Sequence, residues 1–301
     1  MEDVRAERAR IGPELDGENV AVVSTDGGRS VSYAEYGASD GTPLVFLHGT
    51  PGSRLLGGLF DEDARRSGVR LLALDRPGYG RSSPWPTRTL ADTGEFVAAV
   101  LDDAGVSRAG VVGFSGGGPH ALALAATRGD LVRDVDVVAG ATPPSLRSSR
   151  PTALRLLEAL AGTAPLLLRG GLRAQRWFAE RASPSFVVSQ YTTSDGQVES
   201  SDDVAELVKR DFVEALARSG RGFVTESRLL AREWDFPVTE VDRRVRLWHG
   251  GRDSNVPVED ARRMAGRLPN ARLTAFDEAD HLHSLLRSGS RVLERQASAA
   301  E

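Results

Sequence analysis

Hydrophobic positions along this chain change period twice, and the changes divide it into three stretches. From residue 20 to residue 139, short apolar runs alternate with segments whose apolar residues recur at helical spacing. Residues 20–25 and 30–36 read as strands. Asp26-Gly27-Gly28 joins them with a hairpin signal, so the sheet is expected to begin antiparallel. Residues 44–47, 71–74, 109–114 and 135–139 read as further strands, with helices over 53–67, 89–104 and 117–128 between them. This alternation predicts the α/β class, a mostly parallel twisted sheet with helices on both faces.

From Pro143 to about Asp235 no clean strand is legible. Apolar residues there fall at helical spacing instead, as in Leu154, Leu157 and Leu160 or Val204, Leu207, Val208 and Phe212. Alternation then returns with a strand at 245–249, a helix at 258–268, a strand at 273–276 and a C-terminal helix from about His283. The expected organisation is therefore one α/β core in two parts, residues 1–142 and 241–301, interrupted by a helical cap insertion at 143–240. The apolar stretch 152–172 contains Arg155, Glu158 and Arg169, too much charge for a bilayer span. Residues 1–13 mix acidic and basic side chains and lack the apolar run of a secretory signal. A cytoplasmic protein with no membrane partner is the expectation.

Composition narrows the chemistry more than the fold. With 40% hydrophobic and 27% charged residues in 301, the chain matches an ordinary globular protein. A net charge of −4 provides no electrostatic basis for binding nucleic acid. The absence of cysteine excludes disulfides, zinc–thiolate sites and a thiol nucleophile.

Three glycine-containing segments carry the candidate chemistry. Gly113-Phe114-Ser115-Gly116-Gly117 fits G-x-S-x-G, with a β-branched strand before it and an alanine-rich helix after it. A serine on so sharp a turn needs small flanking residues, because bulkier ones meet neighbouring backbone. The competing reading is a glycine-rich turn that holds a phosphate. However, Gly113 to Gly118 spells G-x-x-G-G-G, which matches neither the dinucleotide nor the Walker pattern, and no lysine follows. The other two segments are His48-Gly49-Thr50-Pro51-Gly52 and Asp75-Arg76-Pro77-Gly78-Tyr79-Gly80-Arg81-Ser82, each following a predicted strand.

In this order and at these separations, the three segments resemble the α/β-hydrolase superfamily, over about residues 30–140 and 243–287. The H-G-x-P and D-x-P-G-x-G forms are similar to epoxide hydrolases and dehalogenases. Those relatives carry aspartate as nucleophile, whereas Ser115 stands here and implies an acyl-enzyme route. The resemblance further implies an oxyanion hole from the N–H of Gly116 and an N–H of the 48–52 loop. Thr50 is the expected second donor, since Pro51 has none. Asp75 is expected to order its loop, with Gly78 and Gly80 permitting tight turns.

In this family the acid and then the histidine follow the serine along the chain. Of the five histidines, His48 lies in the oxyanion loop, His120 on the helix after the elbow, and His249 at a strand end. His281 and His283 remain, and the resemblance points to His281 as general base. Asp253, after Gly250-Gly251-Arg252, is the implied acid. A turn or helix-capping role is the structural alternative for it. Some relatives place the acid after the strand at 135–139, but Gly140 to Pro144 contains no carboxylate. A metal site from Asp280, His281 and His283 lacks evident further ligands. No metal or cofactor is therefore implied, and the expected partner is a small-molecule substrate.

The aromatic residues of the insertion (Trp177, Phe178, Phe186, Tyr191, Phe212, Phe223 and Trp234) are expected mostly as helical core, with some lining a pocket. The expected function is hydrolysis of a carboxylic ester or related acyl bond. Amide or carbon–carbon hydrolysis, a cofactor-free lyase or perhydrolase, and a small-molecule receptor are the alternatives.

Overall fold

The computed structural model describes residues 20–148, 152–189, 192, 202–218 and 220–298; Tyr191 and the charged residues 1–13 lie outside them. Strands β1 (Val20–Ser24) and β2 (Ser30–Gly37) form the expected hairpin, with Val20 opposite Ala34 and Ser24 opposite Ser30. β2 also pairs antiparallel with β4 (Val69–Leu74). The remaining strands are β3 (Thr42–Leu47), β5 (Ala109–Phe114), β6 (Val132–Val138), β7 (Val245–Gly250) and β8 (Ala271–Phe276), and all their pairings are parallel. The sheet order is β1-β2-β4-β3-β5-β6-β7-β8.

Parallel strands are buried on both faces, so each side chain pattern feeds two cores. Val45 and Leu47 enter one cluster with residues of α2 (Thr93–Asp103), α3 (Gly117–Thr127) and α9 (Val258–Ala265). Leu44 and Phe46 enter the other, with residues of α1 (Asp61–Arg66) and α10 (His281–Ser298). Helices therefore cover both faces, as the alternation implies.

Between β6 and β7 the described elements are helical: α4 (Thr152–Thr163), α5 (Pro165–Arg181), α6 (Pro184–Val188), α7 (Asp202–Ala215) and α8 (Arg221–Leu230), with short 3₁₀ turns at either end. They share a cluster that includes Leu168, Leu172, Phe212 and Phe223 and is joined by Tyr79 from the loop after β4, while Val188, Ala205 and Val208 pack into the sheet core. Among the described residues no helix is long and apolar enough to cross a membrane.

Three elements depart from expectation. The predicted helix at 53–67 is a 3₁₀ helix over Arg54–Phe60 followed by the short α1. Gly57 presses so close to β4 that an added Cβ would stand 2.7 Å from the Ala73 Cβ. The helix expected from residue 89 begins at Thr93, because the Asp92 carboxylate closes a turn onto the Thr89 N–H (2.7 Å). The C-terminal helix begins at His281 rather than near His283, with Asp280 as its cap. The Asp280 Oδ1 accepts the His283 N–H (3.0 Å) and lies 2.7 Å from the His283 Nδ1.

The aromatic expectation also needs correction. Trp177, Phe178 and Phe186 are exposed, neither core nor lining, and Trp234 stacks on Phe236 at 5.4 Å.

Candidate active site

Parallel strands in one sheet end on the same edge, and the candidate residues lie on that edge. Thr50 follows β3, Ser115 and Gly116 follow β5, Asp253 follows β7, and His281 follows β8. Thr50, Ser115, Gly116 and His281 line one cavity of about 420 Å³. Crevices beyond the carboxyl ends of strands are where open α/β sheets bind ligands.

Ser115 has φ of +51°, in the left-handed region that L residues with a side chain rarely occupy. Such a conformation costs roughly 1–3 kcal/mol and persists where its surroundings over-determine it. The elbow is held in this way. Ser115 N donates to Val138 O (2.9 Å), while Ser115 O accepts the N–H groups of Gly118 and Ala141 (3.0 Å each). A Cβ at Gly113 would meet the Gly117 carbonyl, and one at Gly117 would meet the carbonyls of Leu47 and His48. Those two positions admit glycine because backbone runs directly against backbone there.

Asp253 is buried behind His281. Its Oδ1 accepts the N–H groups of Asn255 and Val256 (2.9 Å each), leaving Oδ2 for the His281 Nδ1 at 2.7 Å. Burial opposes the charge of this carboxylate. His281 and the hydrogen bonds outweigh burial and hold its pKa below the usual range. A carboxylate on Nδ1 places the proton there and leaves Nε2 as the basic atom. His249 stands on the other side of Asp253, its Nε2 3.5 Å from Oδ2 and 2.8 Å from Val256 O. His283 is bound to Asp280, so the two histidines that remained open in the sequence have different partners.

The loop after β3 lies against the elbow. A Cβ on Gly116 would overlap the Thr50 side chain and stand 3.5 Å from Thr50 N. His48 is a buried part of the loop's framework. Its Nδ1 lies 2.7 Å from Gly49 O, and its Nε2 accepts the Arg76 N–H at 3.1 Å. Burial, aided by Arg76, pushes its pKa down to about 3 and keeps it neutral. Asp75 orders its own loop as expected. Its carboxylate accepts Arg54 N (2.7 Å), Ser32 Oγ (2.7 Å) and Arg81 N (2.9 Å), and Gly78 and Gly80 have φ of +91° and +44°.

One residue beside the site carries no signal in the sequence. Glu226 of α8 is fully buried at the convergence of three core segments. Its carboxylate accepts Arg76 Nε and Nη2 (2.7 Å each), Arg88 Nη2 (2.9 Å), Tyr79 Oη (2.8 Å) and Thr50 Oγ1 (2.6 Å). The His120 Nε2 lies 3.0 Å away. Burial works against ionisation of Glu226, but Arg76 and His120 overcome it and hold the carboxyl well below its usual range. Burial pushes His120 down to about 4, so its Nε2–H serves as a neutral donor.

A family model described as alpha/beta hydrolase fold matches residues 42–287. The chain is 28% identical over 258 residues to a 2-hydroxy-6-oxononadienedioate/2-hydroxy-6-oxononatrienedioate hydrolase of Paraburkholderia phymatum, covering 83% of this chain and 84% of that protein. It is 32% identical over 183 residues to a haloalkane dehalogenase of Mycobacterium marinum, covering 58% of this chain and 61% of that one. Against a dihydrolipoyllysine-residue acetyltransferase component of the acetoin cleaving system of Pseudomonas putida, it spans only 31% of the relative's length, at 36% identity over 38% of this chain. Among solved structures, an enol-lactonase from Burkholderia xenovorans superposes with a TM-score of 0.70 at 18% identity, covering 93% of this chain and 99% of that one. An esterase from Rhodococcus superposes with a TM-score of 0.65 at 23% identity, covering 91% and 99%.

Proposed function

This chain belongs to the alpha/beta hydrolase fold family, and from that premise we propose that it is a serine hydrolase acting on a small-molecule carboxylic ester or a related acyl bond. The observation that carries the reading is the pairing of Asp253 Oδ2 with His281 Nδ1 at 2.7 Å, on the same cavity as a left-handed Ser115.

The chemistry follows from those atoms. His281 Nε2 takes the proton from Ser115 Oγ as Oγ bonds to the substrate carbonyl carbon. The N–H groups of Thr50 and Gly116 bind the oxyanion. As the tetrahedral centre collapses, His281 returns the proton to the departing alkoxide and leaves an acyl-serine. His281 then deprotonates water, whose oxygen attacks the acyl carbon. Release of the carboxylic acid restores the Ser115 hydroxyl. Asp253 stabilises the imidazolium in both halves and stays ionised throughout.

Residues 143–240 act in this reading as a cap over the pocket. Leu157, Leu172, Phe212, Phe223 and Leu230 give the cavity an apolar wall suited to an alkyl or aryl group. Its lining cation, Arg147, is engaged by Glu158 (3.3 Å) and the carbonyls of Thr142 (2.8 Å) and Leu230 (2.7 Å). That engagement argues against carrying over a dienedioate substrate from the named relative.

A panel of p-nitrophenyl esters of increasing acyl length tests the proposal. Wild type is expected to turn over short and medium members, and His281→Ala to lose about 10³-fold or more in kcat. No turnover of any member by wild type would remove the ester assignment.

A further inference from the structure

Glu226 is a buried ionised group that the acyl-transfer steps do not use. It links the cap helix α8, on which it sits, to the loop that carries Thr50. The bond from Thr50 Oγ1 to Glu226 Oε2 is 2.6 Å, and the Thr50 hydroxyl is also 3.2 Å from Arg76 Nη2. Arg76, aligned by two hydrogen bonds to the same carboxylate, in turn grips the backbone of the loop. Its Nη1 donates to His48 O, and its Nη2 donates to Gly49 O at 3.1 Å. In a trans peptide the C=O and the following N–H point in opposite directions. Holding Gly49 O toward the buried guanidinium therefore turns the Thr50 N–H away from it, and Thr50 and Gly116 both line the cavity.

We propose that Glu226 is a positioning residue for the oxyanion hole: from the cap, it fixes Thr50 through its hydroxyl and through the Arg76 clasp on the Gly49–Thr50 peptide. The proposal rests on the reading of Ser115 as nucleophile. It makes the cap part of the catalytic geometry as well as the lid of the pocket. A wall that merely excluded water would need no ionised group bonded to the loop. Here the donor angle depends on a carboxylate 176 residues away in sequence.

The test uses the full chain and a fluorophosphonate, whose phosphoryl oxygen develops charge in the same hole during attack by Ser115. Labelling at increasing probe concentration separates the maximal rate of inactivation from the apparent affinity. Thr50→Val removes the hydroxyl that Glu226 holds and keeps the N–H and the side-chain shape. It is expected to lower the maximal rate about tenfold to a hundredfold while apparent affinity stays within about twofold. Thr50→Ser restores a hydroxyl and is expected to recover most of the rate. Glu226→Gln is expected to fall in the same way, and the double variant to be no slower than the slower single one, because both changes break one linkage.

A Thr50→Val protein that labels at the wild-type rate overturns the proposal, as do losses that multiply independently in the double variant. Should Glu226→Gln fail to fold, the Thr50 pair decides alone. Failure of the wild type to label at Ser115 removes the nucleophile reading itself, and this one with it.

Discussion

The two halves of the helical excursion between β6 and β7 are attached to the rest of the molecule in different ways. α7 and α8 are fastened to the core by hydrogen bonds and ion pairs of acidic and basic side chains. Asp211 Oδ1 accepts Ser53 N and Oγ (2.7 Å each), Glu214 meets Arg54 at 2.6 Å, and Glu226 gathers Arg76 and Arg88. Arg218 adds bonds to the carbonyls of Gly80 (3.2 Å) and Arg81 (3.0 Å). On α4, α5 and α6 the pattern is reversed. Leu156, Leu166, Leu167, Trp177, Phe178 and Phe186, the large apolar side chains exposed among the described residues, all lie there. Both halves line the cavity, and among the described residues it is Glu226 of α8 that bonds to Thr50. Directional bonds to buried charge hold one geometry, whereas apolar packing tolerates small shifts. The fastened half is suited to setting bond angles, and the other half to setting the size of the space.

The largest expected effect breaks that fastening. Glu226→Ala leaves two buried arginines without their shared carboxylate, and the urea midpoint should report a loss of about 3–5 kcal/mol. A loss under about 1 kcal/mol would mean that water or another group replaces the carboxylate, and the contrast between the halves would weaken.

A smaller effect appears with pH. Burial pushes Asp211 up to about 7, and neighbouring Asp75 adds to the rise against the opposing hydrogen bonds from Ser53. A carboxyl raised in this way favours the protonated folded state. Its stabilisation is complete below the unfolded value of 3.8 and is lost as pH rises through about 7. Asp211→Asn keeps an acceptor for Ser53 and cannot ionise. It should raise the thermal midpoint relative to wild type more at pH 8 than at pH 5. An offset that is equal at both pH values would place the titration elsewhere.

The smallest effect is expected on the other half. Leu166→Ser and Leu167→Ser, on an exposed face of α5, should change stability by no more than about 0.5 kcal/mol. A loss well above that would show that this face is covered in solution.

The contrast also marks what was legible in the sequence. Ser115 and its glycines are a local device. Strand, turn and helix follow one another within a few residues, so the pattern carries the geometry. Asp253 and His281 are singled out in the sequence only by the resemblance, and the structure pairs them at 2.7 Å because each follows a parallel strand whose end lies beside the other's. Glu226 gives no comparable signal. It sits in Arg221–Leu230 as one charged residue of an amphipathic helix, and its partners lie 106 to 176 residues away. His120 and Arg76 were visible only as a helix residue and a loop residue, because what unites them is burial around that carboxylate. The exposure of Trp177, Phe178 and Phe186, against an expectation of mostly core, has the same origin. Helical spacing places residues on a face and does not say what covers it.

The central claim is that Ser115 is the nucleophile, and mass spectrometry of the protein after reaction with a fluorophosphonate tests it most directly. The account predicts one adduct, mapped to the peptide containing Ser115 and absent from Ser115→Ala. An adduct of the same yield in Ser115→Ala, or one mapped to another residue of the wild type, would contradict it.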